Sequence, residues 1–387
     1  MTRTAILLIA LCAWLAAGEA APDPNANAAL DWWRAIHFLG EDTERLARLG
    51  EEDPLKSPLP DPALDAAFAK PLRALDHLAL GAAAPYCDWG IDARHEGASA
   101  LLPHLGPMRR LGRLALLRAR WQSACGRPAE AVADLLLSMR TARLLGGRTP
   151  LLMDLLVGIS IEGQAITVAA ALLPALDPPA RQRLEAGLAT LPISATVADA
   201  LAGERLFALW AVDHMLAMPP LQRVGFCGQL GGGGTGLDAL RLLPEVTDEK
   251  LRALSEVYGA EVARWQAHLR RPPAERLPLP KPWSGGKAPN ALLEALMPAF
   301  TGMANRELQD LQRRAMLRAA LARLADGDAG LAAHPDPLAG KPFACEATPG
   351  GFRLSADAVG ELKPAMLEVG QAPAPAPVPA TAPAATF

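Results

Sequence analysis

The residues best suited to chemistry lie in one short segment, residues 86–96, and at one histidine downstream. The candidate polar site comprises Cys87, Asp88, Trp89, Asp92, His95 and His104. Thiolates, imidazoles and carboxylates are the ordinary ligands of metals, and a cysteine near a histidine is a candidate nucleophile pair. However, the spacing matches neither an HExxH helix nor an EF-hand loop, and nothing local orients a base for Cys87.

The alternative interpretation of this segment is structural. We expect Asp88 and Asp92 to cap turns or helix starts, and Arg94 to pair with an acid. The sequence therefore assigns no catalytic residue, no metal ligand and no cofactor.

Carboxylates also interrupt an otherwise apolar predicted helix, residues 151–173, at Asp154 and Glu162. Because a buried carboxylate is costly unless it is paired, we expect Glu162 to bind an arginine of a neighbouring helix. The candidate partners are Arg140, Arg143 and Arg205. A functional acid with a raised pKa is the alternative. These polar residues also argue against a membrane span at this position.

Three further patterns resemble ligand sites only in composition. The glycine run 231–236 lacks a preceding strand and a following Gly-Lys-Ser/Thr, so it predicts a flexible linker. A basic helix surface could attract phosphate, but the net charge of −3 and the pI of about 6.2 argue against a nucleic-acid partner. Trp32 and Trp33, with His37, favour a core anchor, although exposed they would form a binding platform.

Composition and the N-terminus indicate an exported helical protein. Hydrophobic residues make up 51% of the 387 and aromatic residues only 5%, which favours helices with a real core. Arg3, an apolar run at 5–17 and Gly18-Glu19-Ala20 predict a cleavable signal peptide, residues 1–20. We therefore expect a periplasmic or secreted protein with no transmembrane span after cleavage. Leucine before Cys12 argues against a lipoprotein.

Four cysteines remain after signal removal: Cys87, Cys125, Cys227 and Cys345. An exported chain permits two disulfides with three pairings, and four free thiols are the alternative. No CxxC motif occurs, so the sequence does not support a zinc ribbon.

Helix start signals divide the chain into antiparallel hairpins. Pairs of a capping residue and proline at 61–62, 149–150 and 177–178 predict helix N-termini, and Pro71 should split the helix that begins near 62. The predicted helices span 101–124 with a break near 106–107, 129–145, 151–173, 180–191 and 196–218. Short turns between successive helices require antiparallel neighbours.

The predicted organisation has six segments, and the predicted fold is all-α. The segments are a signal peptide (1–20), a helical-hairpin domain (21–220), a Gly-rich linker (221–247), a second helical segment (248–330), a β-hairpin segment (331–362) and a disordered Pro/Ala tail (363–387). The helical hairpins form a bundle or a short α-solenoid, followed by the small C-terminal β-hairpin.

Two resemblances accompany this organisation. The hairpin around Gly126 resembles a tetratricopeptide unit in its small residues Ala119, Ala129 and Ala131. The stretches DPLAGKPF (336–343) and GFRL (351–354), with 87–92 and 101–106, are similar to a group of uncharacterised exported bacterial helical proteins that end in a D-P-x-x-G-K-P hairpin. That resemblance implies an exported helical protein and no particular activity.

We therefore expect a non-enzymatic interaction or scaffold protein of the cell envelope, with a protein or peptide partner. The alternative is a hydrolase or metal-binding protein that uses residues 87–104. A concave pocket at Asp88, Asp92 and His95 would favour the alternative, whereas an open apolar groove elsewhere would favour binding.

Overall fold

The computed structural model describes residues 26–41, 62–68, 70, 72–97, 100–147, 150–230, 244, 246–281 and 300–370. Within these ranges the chain forms twelve α-helices and one three-stranded antiparallel sheet. The first six helices are α1 (Ala28–Glu41), α2 (Pro62–Phe68), α3 (Arg73–Ala83), α4 (Ala93–Glu96), α5 (Leu105–Ala124) and α6 (Pro128–Leu144). The others are α7 (Leu152–Leu172), α8 (Pro178–Ala189), α9 (Val197–Leu216), α10 (Pro220–Leu230), α11 (Asp248–Leu269) and α12 (Phe300–Ala332). The predicted class, mostly α with a small C-terminal β element, is confirmed.

Local capping explains several helix starts. Asp177 accepts from the third backbone N–H of α8, as predicted, and Thr247 does the same for α11. The start predicted at 149–150 is wrong, because α7 begins at Leu152 and Asp154 accepts from the N–H of Leu151.

Three other predictions are corrected. No break occurs near 106–107, because Pro107 lies in the first turn of α5, where no intrahelical bond needs its missing N–H. The predicted linker 221–247 begins too early, since α10 runs to Leu230. The predicted disordered tail 363–387 contains a third strand, Met366–Val369. The signal peptide (1–20), residues 231–243 and residues 371–387 lie outside the described residues.

The central element is α7, whose residues are mainly apolar. It packs against α5, α6, α9 and α12 and against the sheet. Gly158 allows this close approach, because a Cβ there would lie 2.7 Å from the carbonyl oxygen of Ala142 on α6. Residues 152–175 are long and apolar enough to cross a membrane by length and composition, but 67% of that window is buried inside the protein.

The sheet closes one end of this core. The strands β1 (Ala344–Thr348), β2 (Gly351–Ser355) and β3 (Met366–Val369) pair in that order. Gly350, with a φ of 85°, makes the turn between β1 and β2. Phe352 and Leu354 pack into the same buried cluster as α7 and α12, so the sheet belongs to the helical core.

Candidate functional site

The structure separates the predicted polar site into two halves. Cys87, Trp89 and His104 contribute to the buried interior or its edge, whereas Asp88, Asp92 and His95 are exposed. The six residues therefore do not converge on one reactive centre.

The inner half contains a buried imidazole–carboxylate pair. His104 Nε2 lies 3.2 Å from Asp154 Oδ1, and the two residues are 1% and 3% exposed. Trp89 covers the imidazole, with ring centroids 4.0 Å apart, and its indole N–H donates to the carbonyl of Leu145. Asp154 also caps α7 through Leu151 N–H, so this pair ties the loop before α5 to the start of α7.

Cys87 is poorly suited to nucleophilic chemistry. Burial raises the pKa of its thiol well above the usual range, and the neighbouring carboxylates of Asp88 and Asp154 raise it further. Because the thiolate is the reactive form, a neutral buried thiol is a weak nucleophile.

The outer half has the predicted capping role. Asp92 accepts from the backbone N–H of His95 at the start of α4, and its other oxygen lies 2.6 Å from His95 Nδ1. That side-chain bond holds the pKa of Asp92 below its ordinary value. Asp88 accepts from Gly90 N–H in a turn. Within the described ranges, no group of three or more His, Cys, Asp or Glu side chains is arranged to hold a metal.

No protein-family model matches the chain, and comparisons with curated proteins and with solved structures found no similar protein. The resemblances to exported bacterial proteins and to a tetratricopeptide unit therefore stay predictions.

An open concave feature lies between three helices and is here called the α3/α6/α8 groove, with a volume of about 330 Å³. It is lined by Ala79, Ala82, Ala83, Leu136, Leu137, Arg140, Gly187, Thr190 and Leu191. Gly187 allows α8 to approach α6 closely at this groove, because a Cβ there would lie 2.2 Å from a methyl carbon of Leu136. Most of these residues are apolar, and Arg140 is the cation among them.

Arg140 is oriented by the helix it faces. Its Nε donates to the carbonyl oxygen of Ala82 near the C-terminal end of α3, where a cation is favourable. A guanidinium carries five N–H donors, and this bond uses one of them. Two large apolar residues near the groove are exposed, Leu80 by 57% and Ile193 by 95%. Sequence reasoning missed this groove, although its alanines at 79, 82 and 83 share one helix face.

A second polar cluster is here called the ion network: Arg143, Glu162, Asp310 and Arg314. Arg143 Nη2 lies 2.8 Å from Glu162 Oε1, which confirms the predicted salt bridge with one of the three candidate partners. Arg314 on α12 binds the other oxygen of Glu162 at 2.7 Å. The sequence did not indicate Arg314.

The arginines of α5, the tryptophans at 32 and 33 and the four cysteines can be compared with their predictions. Arg118 binds Asp134 of α6 and Arg113 donates to Gln164 of α7, so part of the predicted basic surface of α5 is engaged within the protein. Trp32 is fully buried, as predicted for a core anchor, whereas Trp33 is 41% exposed and meets Trp89 edge-on. Cys87, Cys125, Cys227 and Cys345 are free thiols, so the structure adopts the alternative without disulfides.

Proposed function

We propose that this protein is a non-enzymatic binding protein of the cell envelope. Its α3/α6/α8 groove takes a short apolar segment of a partner protein that carries one carboxylate. The observation that carries the proposal is the groove itself: an open, mainly apolar channel of about 330 Å³ with one oriented arginine. Sites for small ligands or anchoring side chains begin at about this size.

The apolar lining determines which side chains of a partner the groove accepts. Alanine and glycine side chains leave space for protruding side chains, and Leu136, Leu137 and Leu191 provide apolar contacts. An amphipathic partner helix can insert one or two leucines into such a groove, as helix-in-groove recognition requires. Leu80 and Ile193, exposed nearby, would be covered by the same partner.

Arg140 defines the charge of the partner. Its guanidinium is held at the end of α3 by the Ala82 carbonyl, so it is available in a fixed place. Carboxylates complement an arginine in charge and in geometry, and charge-assisted hydrogen bonds are the stronger kind. The occupant therefore combines an apolar face with one acidic group.

The alternative function, a hydrolase or metal-binding protein at residues 87–104, has weaker support. Its nucleophile candidate is buried and protonated, and its histidines, His95 and His104, lie on different sides of the segment. No described contact favours catalysis there.

Fluorescence anisotropy with a defined probe tests the groove. The probe is a short fluorescein-labelled amphipathic helical peptide with blocked ends, a leucine and alanine face and one glutamate. We expect saturable binding, lost in Ala79→Trp, which fills the groove from an exposed position. Arg140→Gln should weaken binding by about tenfold, the effect of one charged hydrogen bond.

The matched control is Ala186→Trp, which adds the same side chain at an exposed position of α8 outside the groove. It should bind the probe as the parent protein does. Equal loss in both tryptophan variants, or binding unaffected by Ala79→Trp and Arg140→Gln, would rule out the groove as the binding site.

Export is part of the proposal and rests on the N-terminal pattern. Expression in a bacterial host followed by N-terminal sequencing of the periplasmic fraction tests it. A mature chain beginning near residue 21 supports export, and an intact chain in the cytoplasm contradicts it.

A further inference from the structure

The ion network is physically connected to the wall of the α3/α6/α8 groove. The C-terminal end of α8 and the residues that follow it form that wall, through Gly187, Thr190 and Leu191. Its position is fixed by two arginines from other helices. Arg143 Nη1 donates to the carbonyl oxygen of Pro192 at 3.2 Å, and Arg318 Nη2 donates to that of Leu188 at 3.2 Å.

Arg143 connects this wall to the buried carboxylates. Arg143 shares Glu162 with Arg314, and Arg314 also lies 2.6 Å from Asp310 Oδ2. Arg318 follows Arg314 by one helical turn on α12. Arg140 of the groove and Arg143 of the network are likewise one turn apart on α6, which places their side chains on neighbouring parts of one face.

The charge of the ion network depends on one proton. With Asp310 ionised, two arginines face two carboxylates and the network is neutral. With Asp310 protonated, one positive charge is uncompensated. Asp310 is 5% exposed, and its Oδ1 has no hydrogen-bond partner among the described residues, which disfavours the ionised form.

Several charged groups face Asp310. They are Arg314 and Arg313 on its own helix, Glu162 on α7 and Arg143 on α6. Burial raises the pKa of Asp310 to about 7, Glu162 adds to this increase, and the arginines oppose it. The proton can therefore leave or bind close to neutral pH.

We propose that Asp310 is a proton-controlled regulator of the groove: its protonation leaves a positive charge beside α6 and α8 and tightens binding of a carboxylate-bearing partner. This inference rests on the proposed function, because it concerns the same groove. The uncompensated charge and the partner's carboxylate would be separated by about one helix diameter of partly buried protein. At that separation, one unit charge changes the affinity for the partner on the order of threefold.

The experiment measures probe binding to the full chain at about pH 6 and about pH 8, a range in which the probe's own glutamate stays ionised. We expect the parent protein to bind the glutamate probe about threefold more tightly at the lower pH. Asp310→Asn, which imitates the protonated form, should bind tightly at both values. Asp328→Asn, which removes an exposed carboxylate of the same helix, should keep the pH dependence.

A second probe separates charge from other effects without any variant. With glutamine in place of its glutamate, the peptide should bind the parent protein equally at both pH values. A contribution of any other titratable group to the pH dependence would persist in Asp310→Asn.

The two proposals fail in different ways. Absence of probe binding at both pH values refutes the proposed function. Two outcomes refute only the regulatory role, provided that Ala79→Trp and Arg140→Gln still weaken binding. In the first, the parent protein and Asp310→Asn show the same pH dependence of binding. In the second, binding by the parent protein does not depend on pH. Thermal unfolding of each variant, followed by circular dichroism, verifies that the compared proteins are folded.

Discussion

The carboxylate of Glu162 accepts a 2.7 Å hydrogen bond from Arg314, which lies 152 positions further along the chain. Its other oxygen binds Arg143 of α6, so one residue of α7 joins three helices. Because Arg143 also donates to the carbonyl of Pro192, the same carboxylate supports the segment that follows α8, next to the groove residue Leu191. The buried charges thus position the surface that we propose as the binding site.

Removal of the Glu162 charge should destabilise the protein strongly. Glu162→Gln leaves Arg143 and Arg314 with weaker partners in a site where Glu162 itself is 2% exposed. Breaking a buried pair in this way costs about 3–5 kcal/mol, because the remaining charge is poorly compensated. Urea denaturation followed by circular dichroism measures the change.

The control for that variant is Glu185→Gln, at an exposed position of α8. Its free energy of unfolding should stay within about 0.5 kcal/mol of the parent value. If Glu162→Gln were equally harmless, Glu162 would not be the structural hub described above.

Asp310 should make stability depend on pH in a defined direction. Its pKa is about 7 in the folded protein and about 4 in an unfolded chain. The folded state therefore binds the proton more tightly, so this contribution to stability is complete below about pH 4 and is lost as the pH rises to about 7. Relative to the parent protein, Asp310→Asn should gain stability between about pH 5 and about pH 7, and the difference should level off above that range.

Urea unfolding at several pH values measures the unfolding free energies of the parent protein and of Asp310→Asn. Subtracting one from the other removes the contributions of the titrating groups that the two proteins share. A difference between parent and variant that is constant from about pH 5 to about pH 8 would show that Asp310 does not titrate there.

The four cysteines should differ in their reactivity toward a thiol-modifying reagent. Cys125 is exposed and should react first, whereas Cys345 is partly buried and burial raises its pKa. Cys87 and Cys227 are buried, and burial raises the pKa of Cys227 to about 11, so both should react only after unfolding. Mass spectrometry of the alkylated peptides identifies the order, and early modification of Cys87 would contradict its position in the core.

His104 should act as a structural residue. His104→Phe keeps an aromatic ring against Trp89 but removes the partner of Asp154, leaving a buried carboxylate oxygen without that bond. We expect a loss of about 2–3 kcal/mol in unfolding free energy. Probe binding by the remaining folded protein should be unchanged, and a selective loss of binding without loss of stability would assign His104 a functional role instead.

Much of the fold followed from local sequence signals. Asp177 caps a helix as its type and position predicted, and the helix pair around Gly126 lies where turn residues place it. The third strand was missed because Met366–Val369 is too short for clear alternation, and it is stabilised by packing against α7 and α12.

The candidate site was less predictable, because it depends on contacts between distant residues. The chemical types of residues 87–104 drew attention to that segment, but types alone could not show that Cys87 and His104 turn inward while His95 faces solvent. Glu162 was expected to bind an arginine, yet nothing local distinguishes Arg314 from the other arginines of α12. The groove is formed by three helices whose register the sequence does not specify.

Hydrogen–deuterium exchange of the full chain, with and without a saturating amount of the glutamate probe, tests the central claim most directly. Binding at the α3/α6/α8 groove predicts slower exchange at the C-terminal half of α3, around Arg140 of α6 and at the end of α8. Slower exchange confined to residues 87–104, with the groove unchanged, would contradict it.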